Sequence, residues 1–207
     1  VYSRLFGLTL HDYLPYVALG IVFFATITGA VTEGCETFVQ ASSMLSQTSL
    51  PMFTFVWRTV FRNVINLGHH LLIVLVVLVY FGFWRVANYP VAILGLALLV
   101  LNIAWLSMLV AIASARFRDI PQIVIPIMQF AQFMTPVFWM PDRISPDHHA
   151  FFDLNPFYHL IEIFRAPILG EHLSVFSWYY VGALTVAGVV LATFLYRRYA
   201  RLVPIWL

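Results

Sequence analysis

Few side chains in this sequence could do chemistry. Glu162 and Arg165 lie three residues apart, a spacing that pairs acid and base on one helical face. Such a pair either fixes a short helix at a gate or, in a membrane-embedded transferase, supplies a carboxylate, with His159 as the other candidate there. The seven histidines include two adjacent pairs, His69 with His70 and His148 with His149, besides His172. Neighbours on a helix point about 100° apart, and no Cys or acid stands at ligand spacing beside them, so no metal site is expected. A histidine inside an apolar stretch either relays protons or hydrogen-bonds between packed helices. Cys35 is the only cysteine and can form no internal disulfide. The chain has no Lys, so no G-x-x-x-x-G-K-[ST] phosphate loop is possible, and no catalytic residue is assigned.

Amides and rings form the remaining group. On a helix, Gln122, Gln129, Gln132, Phe133, Pro136 and Trp139 fall within about a third of the circumference. Amides facing lipid unsatisfied are costly, so this face is either a polar seam between helices or the wall of a wet pathway. Phe130 and Phe133, and Tyr16 and Phe23 seven residues apart, either pack a core or line that pathway. Trp84, Tyr89, Trp139, Trp178 and Tyr179 suit interfacial anchors.

These side chains must be carried by membrane helices. Five uncharged stretches, 13–32, 63–84, 86–115, 120–141 and 173–196, each reach the roughly 20 residues that cross a bilayer. The chain is 62% hydrophobic and 10% charged, against about 25% charged in soluble domains. The expectation is an all-α, polytopic transmembrane bundle forming one domain over 1–207. A net charge of +2, scattered along the chain, argues against a nucleic-acid partner. Arginine bias orients it. Arg58, Arg62, Arg116, Arg118, Arg197, Arg198 and Arg201 fall on the cytoplasmic side, Arg4, Arg85, Arg143 and Arg165 outside. Asp12, Asp142, Asp147, Asp153, Glu162 and Glu171 also fall outside.

Between the spans, 33–51 reads as a cytoplasmic stretch with a short interfacial helix, broken at Pro51. Ala104, Ser107, Ala111 and Ala115 allow close helix contact. The outer segment 142–172 reads as two short helices dipping into the outer leaflet, one starting at Asn155-Pro156 and ending at Pro167 and Gly170.

The turn ARFRDI, the exit MTPVFWMPDRI and the segment LNPFYHLIEIFRAPILG, in that order before a last span with a basic end, resemble the permease subunit of type-2 ABC exporters. The likeness is nearest to the O-antigen polysaccharide branch and covers nearly the whole chain. Members have six spans after an amphipathic helix. By this resemblance that helix and most of the first span are missing before Val1, with 1–7 matching that span's outer end.

The resemblance implies a bacterial inner-membrane homodimer around a central channel. Each copy docks a separate ABC ATPase subunit, which binds ATP and Mg, so this chain needs no cofactor of its own. The cargo is a lipid-linked, O-antigen-type polysaccharide, moved outward among membrane lipids. A drug or lipid exporter of the same fold is the alternative. Tyr16, Phe23, Gln129, Phe130, Gln132 and Phe133 would then line the substrate channel, where rings can stack on sugar faces. Asn155, Pro156, Glu162 and Arg165 would form the outer gate. Glu36, Phe38, Met44 and Leu45 would belong to the ATPase-coupling segment; Arg116, Arg118 and Asp119 either cap helix ends or touch the ATPase.

Overall fold

A computed structural model describes residues 9–47, 50–141 and 150–207, without the side chains of 46, 47, 150 and 151. Arg4, Asp142, Arg143, Asp147, His148 and His149, read above as outer residues, lie outside the described part. The described residues are helical, with no strand among them. In chain order the helices are α1 (Leu10–Gln40), α2 (Ser42–Gln47), α3 (Phe53–Tyr80), α4 (Tyr89–Arg116), α5 (Ile120–Met134), α6 (Ala150–Asp153), α7 (Pro156–Leu169), α8 (Val175–Tyr199) and α9 (Val203–Trp206). A 3₁₀ turn, Phe83–Arg85, starts after Gly82, whose φ of 82° places it in the left-handed region.

Four helices, α1, α3, α4 and α8, are long and apolar enough to cross a membrane. The fourth expected span falls short: α5 has 15 residues, about 22 Å of helix. Hydropathy continues to Pro141, but Pro136 has no N–H to donate and disfavours helical backbone at Thr135, so the helix stops at Met134. The reverse holds in α1. Glu33 reads as a span end, yet α1 runs on to Gln40 because the carboxylate finds partners on α3. Glu33 Oε2 accepts from Arg62 Nε (3.0 Å) and Nη2 (2.7 Å) and from Asn63 Nδ2 (2.7 Å). α3 likewise starts at Phe53, ten residues before the expected span.

The described residues fall into two compact units. The first draws on the described residues within 1–25, 67–97 and 131–181; the second on those within 26–66, 98–130 and 182–207. In the second unit small residues set the spacing. Ser107, Ala111 and Ala115 are buried on α4. Ser107 Oγ donates to Ala30 O at 2.9 Å, and a Cβ on Gly34 would lie 3.0 Å from the Ser107 Cα. Thr37 and Thr59 share a hydrogen bond at 2.9 Å, and Asn102 Nδ2 donates to Thr185 Oγ1 at 2.6 Å. Such bonds hold helices together where lipid provides no hydrophobic drive for their association.

The first unit is built around α7. Ten of its fourteen residues are buried, so α7 is packed in protein along most of its length. Phe164 stacks on Phe23 of α1 with centroids 4.3 Å apart, and Phe157 meets Phe24 at 5.8 Å. Pro167 sits inside this helix instead of ending it. Lacking an N–H, it leaves the carbonyl of Ile163 without its helical donor. Gly95 of α4 packs onto that bare carbonyl: a Cβ there would stand 2.5 Å from Ile163 O. Gly170, with φ 69°, terminates α7, and its N–H bonds Ala166 O.

Candidate gate at the unwound end of α5

The break after Met134 leaves backbone carbonyls without helical donors, which lipid cannot hydrate. Thr135, Pro136 and Val137 are buried, and side chains from α1 and α7 meet those carbonyls. Tyr13 Oη donates to Phe138 O at 2.8 Å. The single Tyr16 hydroxyl proton is shared between Pro136 O (3.2 Å) and Trp139 O (3.3 Å). Arg165 Nη1 donates to Pro136 O at 2.9 Å. Asn155 Nδ2 donates to Thr135 Oγ1 at 3.0 Å and, at 3.4 Å, to Met134 O. Gly20 lets α1 come close, since a Cβ there would lie 3.2 Å from Val137 O.

Arg165 is the centre of this clasp. Its side chain is 1% exposed and its partner Glu162 12%. Nε and Nη2 donate to Glu162 Oε2 at 3.1 and 2.6 Å. The guanidinium carbon lies 3.7 Å from the Tyr16 ring centroid, within cation–π range. A planar, always-charged fork is the group that can bind a carboxylate, a carbonyl and a ring face together. Asn155 links the clasp to the start of α7: its Oδ1 accepts from Phe157 N (2.9 Å) and Tyr158 N (3.3 Å) as an N-cap. The expected outer-gate residues Asn155, Pro156, Glu162 and Arg165 are thus together on one short helix, joined to the α5 exit.

His159 is buried in the same unit. One ring nitrogen lies 2.9 Å from Ser177 Oγ, the other 2.9 Å from Asp153 O. The carbonyl can only accept, so Nε2 carries the proton and Nδ1 accepts from Ser177 in the neutral ring. Burial lowers the His159 pKa from the usual histidine value. Both ring nitrogens are thus hydrogen-bonded within the fold, and Glu162 Oε2 is taken up by Arg165.

Other expected site residues separate. Tyr16 and Phe23 are 3% and 0% exposed, so neither lines an open surface here; Tyr16 serves the clasp and Phe23 stacks on Phe164. Phe130 and Phe133 are 67% and 71% exposed, Gln129 is exposed and Gln132 half-buried. In the coupling set, Phe38 is buried, while Glu36 and Met44 are exposed and Leu45 is half-buried. Arg116, Arg118 and Asp119 are exposed. Glu36 and Arg118 line one cavity of about 320 Å³ with Cys35, Val39, Gln40, Ser114 and Pro121. Arg116 lies over Phe117 (5.6 Å) and Trp206 (5.5 Å), and Arg118 Nη2 donates to Leu207 O at 2.9 Å. Sequence reasoning missed Tyr13, Thr135 and Gly95; the available signal was Pro136, which breaks a helix and obliges something to satisfy the freed carbonyls.

Four helices long and apolar enough to cross a bilayer define the class as a multi-pass membrane protein. The family model of the ABC-2 type transporter matches residues 1–169, and the chain belongs to that family, as the membrane permease of a type-2 ABC transporter. No curated protein matches the chain.

Proposed function

We propose that the chain is the permease of an ATP-driven exporter that moves a lipid-linked, O-antigen-type polysaccharide out across the bacterial inner membrane. Two copies enclose the path, and each engages a separate ABC ATPase through α2, the end of α1 and the α4–α5 turn. One observation carries the cargo reading: α5 leaves Gln122, Gln129, Phe130 and Phe133 uncovered, with only Met128 buried. Exposed amides face lipid at a cost of kilocalories each, so this surface suits water or a second copy. Rings among amides suit a sliding sugar polymer, because ring faces give weak, repeatable contacts. The α5–α7 clasp then acts as the outer gate.

The test is export by cells that depend on this permease. Phe130→Ala with Phe133→Ala should reduce surface polysaccharide several-fold while the variant still co-purifies with its ATPase. Undiminished export would remove the channel-wall reading. If instead drug efflux fell while polysaccharide was unaffected, the alternative exporter class would replace the cargo.

A further inference from the structure

The second unit carries a groove that the gate does not use. It has a volume of about 350 Å³ and runs between α3, α4 and α8. Phe53 and Trp57, Trp105 and Met108, and Val189 and Tyr196 form its walls, with Val56 and Ala192 buried at its floor. One end is closed. Gly188 sits so close to the Trp105 indole that an added Cβ would overlap the ring. Trp105 Nε1 donates to Asn102 Oδ1 at 2.9 Å, and Asn102 in turn bonds Thr185, which fixes that end. From Val189 to Tyr196 the groove follows about two turns of α8, close to 10 Å.

The other end is basic. Phe53, Trp57 and Tyr196 mark it, with Arg197 next after Tyr196; Arg58 turns instead to a separate pocket beside Thr37, Gln40 and Met44. Arg197 is also one turn beyond the lining residue Thr193, on the same side of α8. α3, α4 and α8 contain no acidic residue. Arg62 is neutralised by Glu33, but Arg197 makes no ion pair or hydrogen bond with a described residue. An apolar slot closed at one end, with the unpaired Arg197 beyond the other, complements a molecule with a hydrocarbon tail and an anionic head. In a protein whose helices span a bilayer, the charged helix ends lie at headgroup level.

We propose that this groove is a binding site for one acyl chain of an anionic phospholipid, with the lipid phosphate held by Arg197. The site depends on the chain spanning a membrane and not on what is exported. Trp57 and Trp105 make it directly readable. The purified protein is placed in phosphatidylcholine vesicles containing a minor fraction of brominated phosphatidylglycerol or, separately, brominated phosphatidylcholine, and tryptophan quenching is titrated. A basic residue at the surface favours anionic lipid roughly fivefold, so the glycerol lipid should quench at roughly fivefold lower mole fraction. Arg197→Gln should abolish that preference and Arg197→Lys retain it. Val189→Phe, which narrows the slot from an exposed wall position, should weaken quenching by both lipids. Trp57→Phe with Trp105→Phe should remove the selective component. Equal quenching by the two lipids would mean ordinary boundary lipid and overturn the proposal. It would be overturned equally if neither lipid reached these tryptophans, since protein, such as a second copy, would then cover the groove.

Discussion

Arg165 shows how much one buried charge can organise. Breaking such a pair by removing one partner typically costs about 3–5 kcal/mol, because the other charge is left buried and unmatched. Glu162→Gln should therefore lower the thermal unfolding midpoint in detergent strongly, whereas Arg62→Gln, at a half-exposed pair, should lower it little. Tyr16→Phe should cost about 1–3 kcal/mol, since Trp139 O loses its donor while Pro136 O keeps Arg165. His159 gives a pH test. Its pKa is lowered in the fold, so the unfolded chain binds more protons as the medium is acidified. The stabilisation is fully present above the ordinary histidine pKa of about 6.5 and is lost as pH falls below it. Midpoints measured from pH 8 down to pH 5 (an experimental range of about three units) should fall more steeply for the wild type than for His159→Gln.

Among the elements, α7 was the most readable from sequence and α5 the least. Asn155, Pro156 and Gly170 are local signals that act within a turn of themselves, so the ends of α7 followed directly from them. The Glu162–Arg165 pair was equally local. What the clasp holds was not legible, because its acceptors on 134–139 are some 20 to 125 residues away from their donors. Hydropathy overran α5 since an apolar segment stays apolar after its helix has stopped. At Glu33 the helix itself outran the local signal: α1 continues past the charge because Arg62 and Asn63 on α3 answer it. Element packing yields a further expectation. Gly95→Ala should destabilise by about 1–3 kcal/mol, because the methyl meets backbone that cannot turn aside. Gly68→Ala, at a helical position open to its surroundings, should leave stability unchanged or slightly raised. Thermal midpoints of the two variants, measured side by side, separate close packing from a general intolerance of added bulk.

For the molecule as a whole, the family and the helical architecture place the chain as a multi-pass permease. The outward face of α5 and the clasp at its end assign different work to two stretches of one segment. If they act as proposed, Asn155→Ala should release the cap and the α5 contact together and make resting membranes leaky to small solutes. The alanine pair at Phe130 and Phe133 should instead slow export through membranes that stay tight. A dye-leak assay run beside the export assay distinguishes the two, and identical behaviour of both variants would argue that wall and gate are not separate.

The seat of Gly95 on Ile163 also limits how this end of the protein can move. A slide of α7 along α4 by one turn, about 5.4 Å, would set a residue that carries a Cβ against the bare peptide. The two helices are keyed like a tongue in a slot. Any opening here carries α7 and the first turns of α4 together, with Gly95 kept against Ile163.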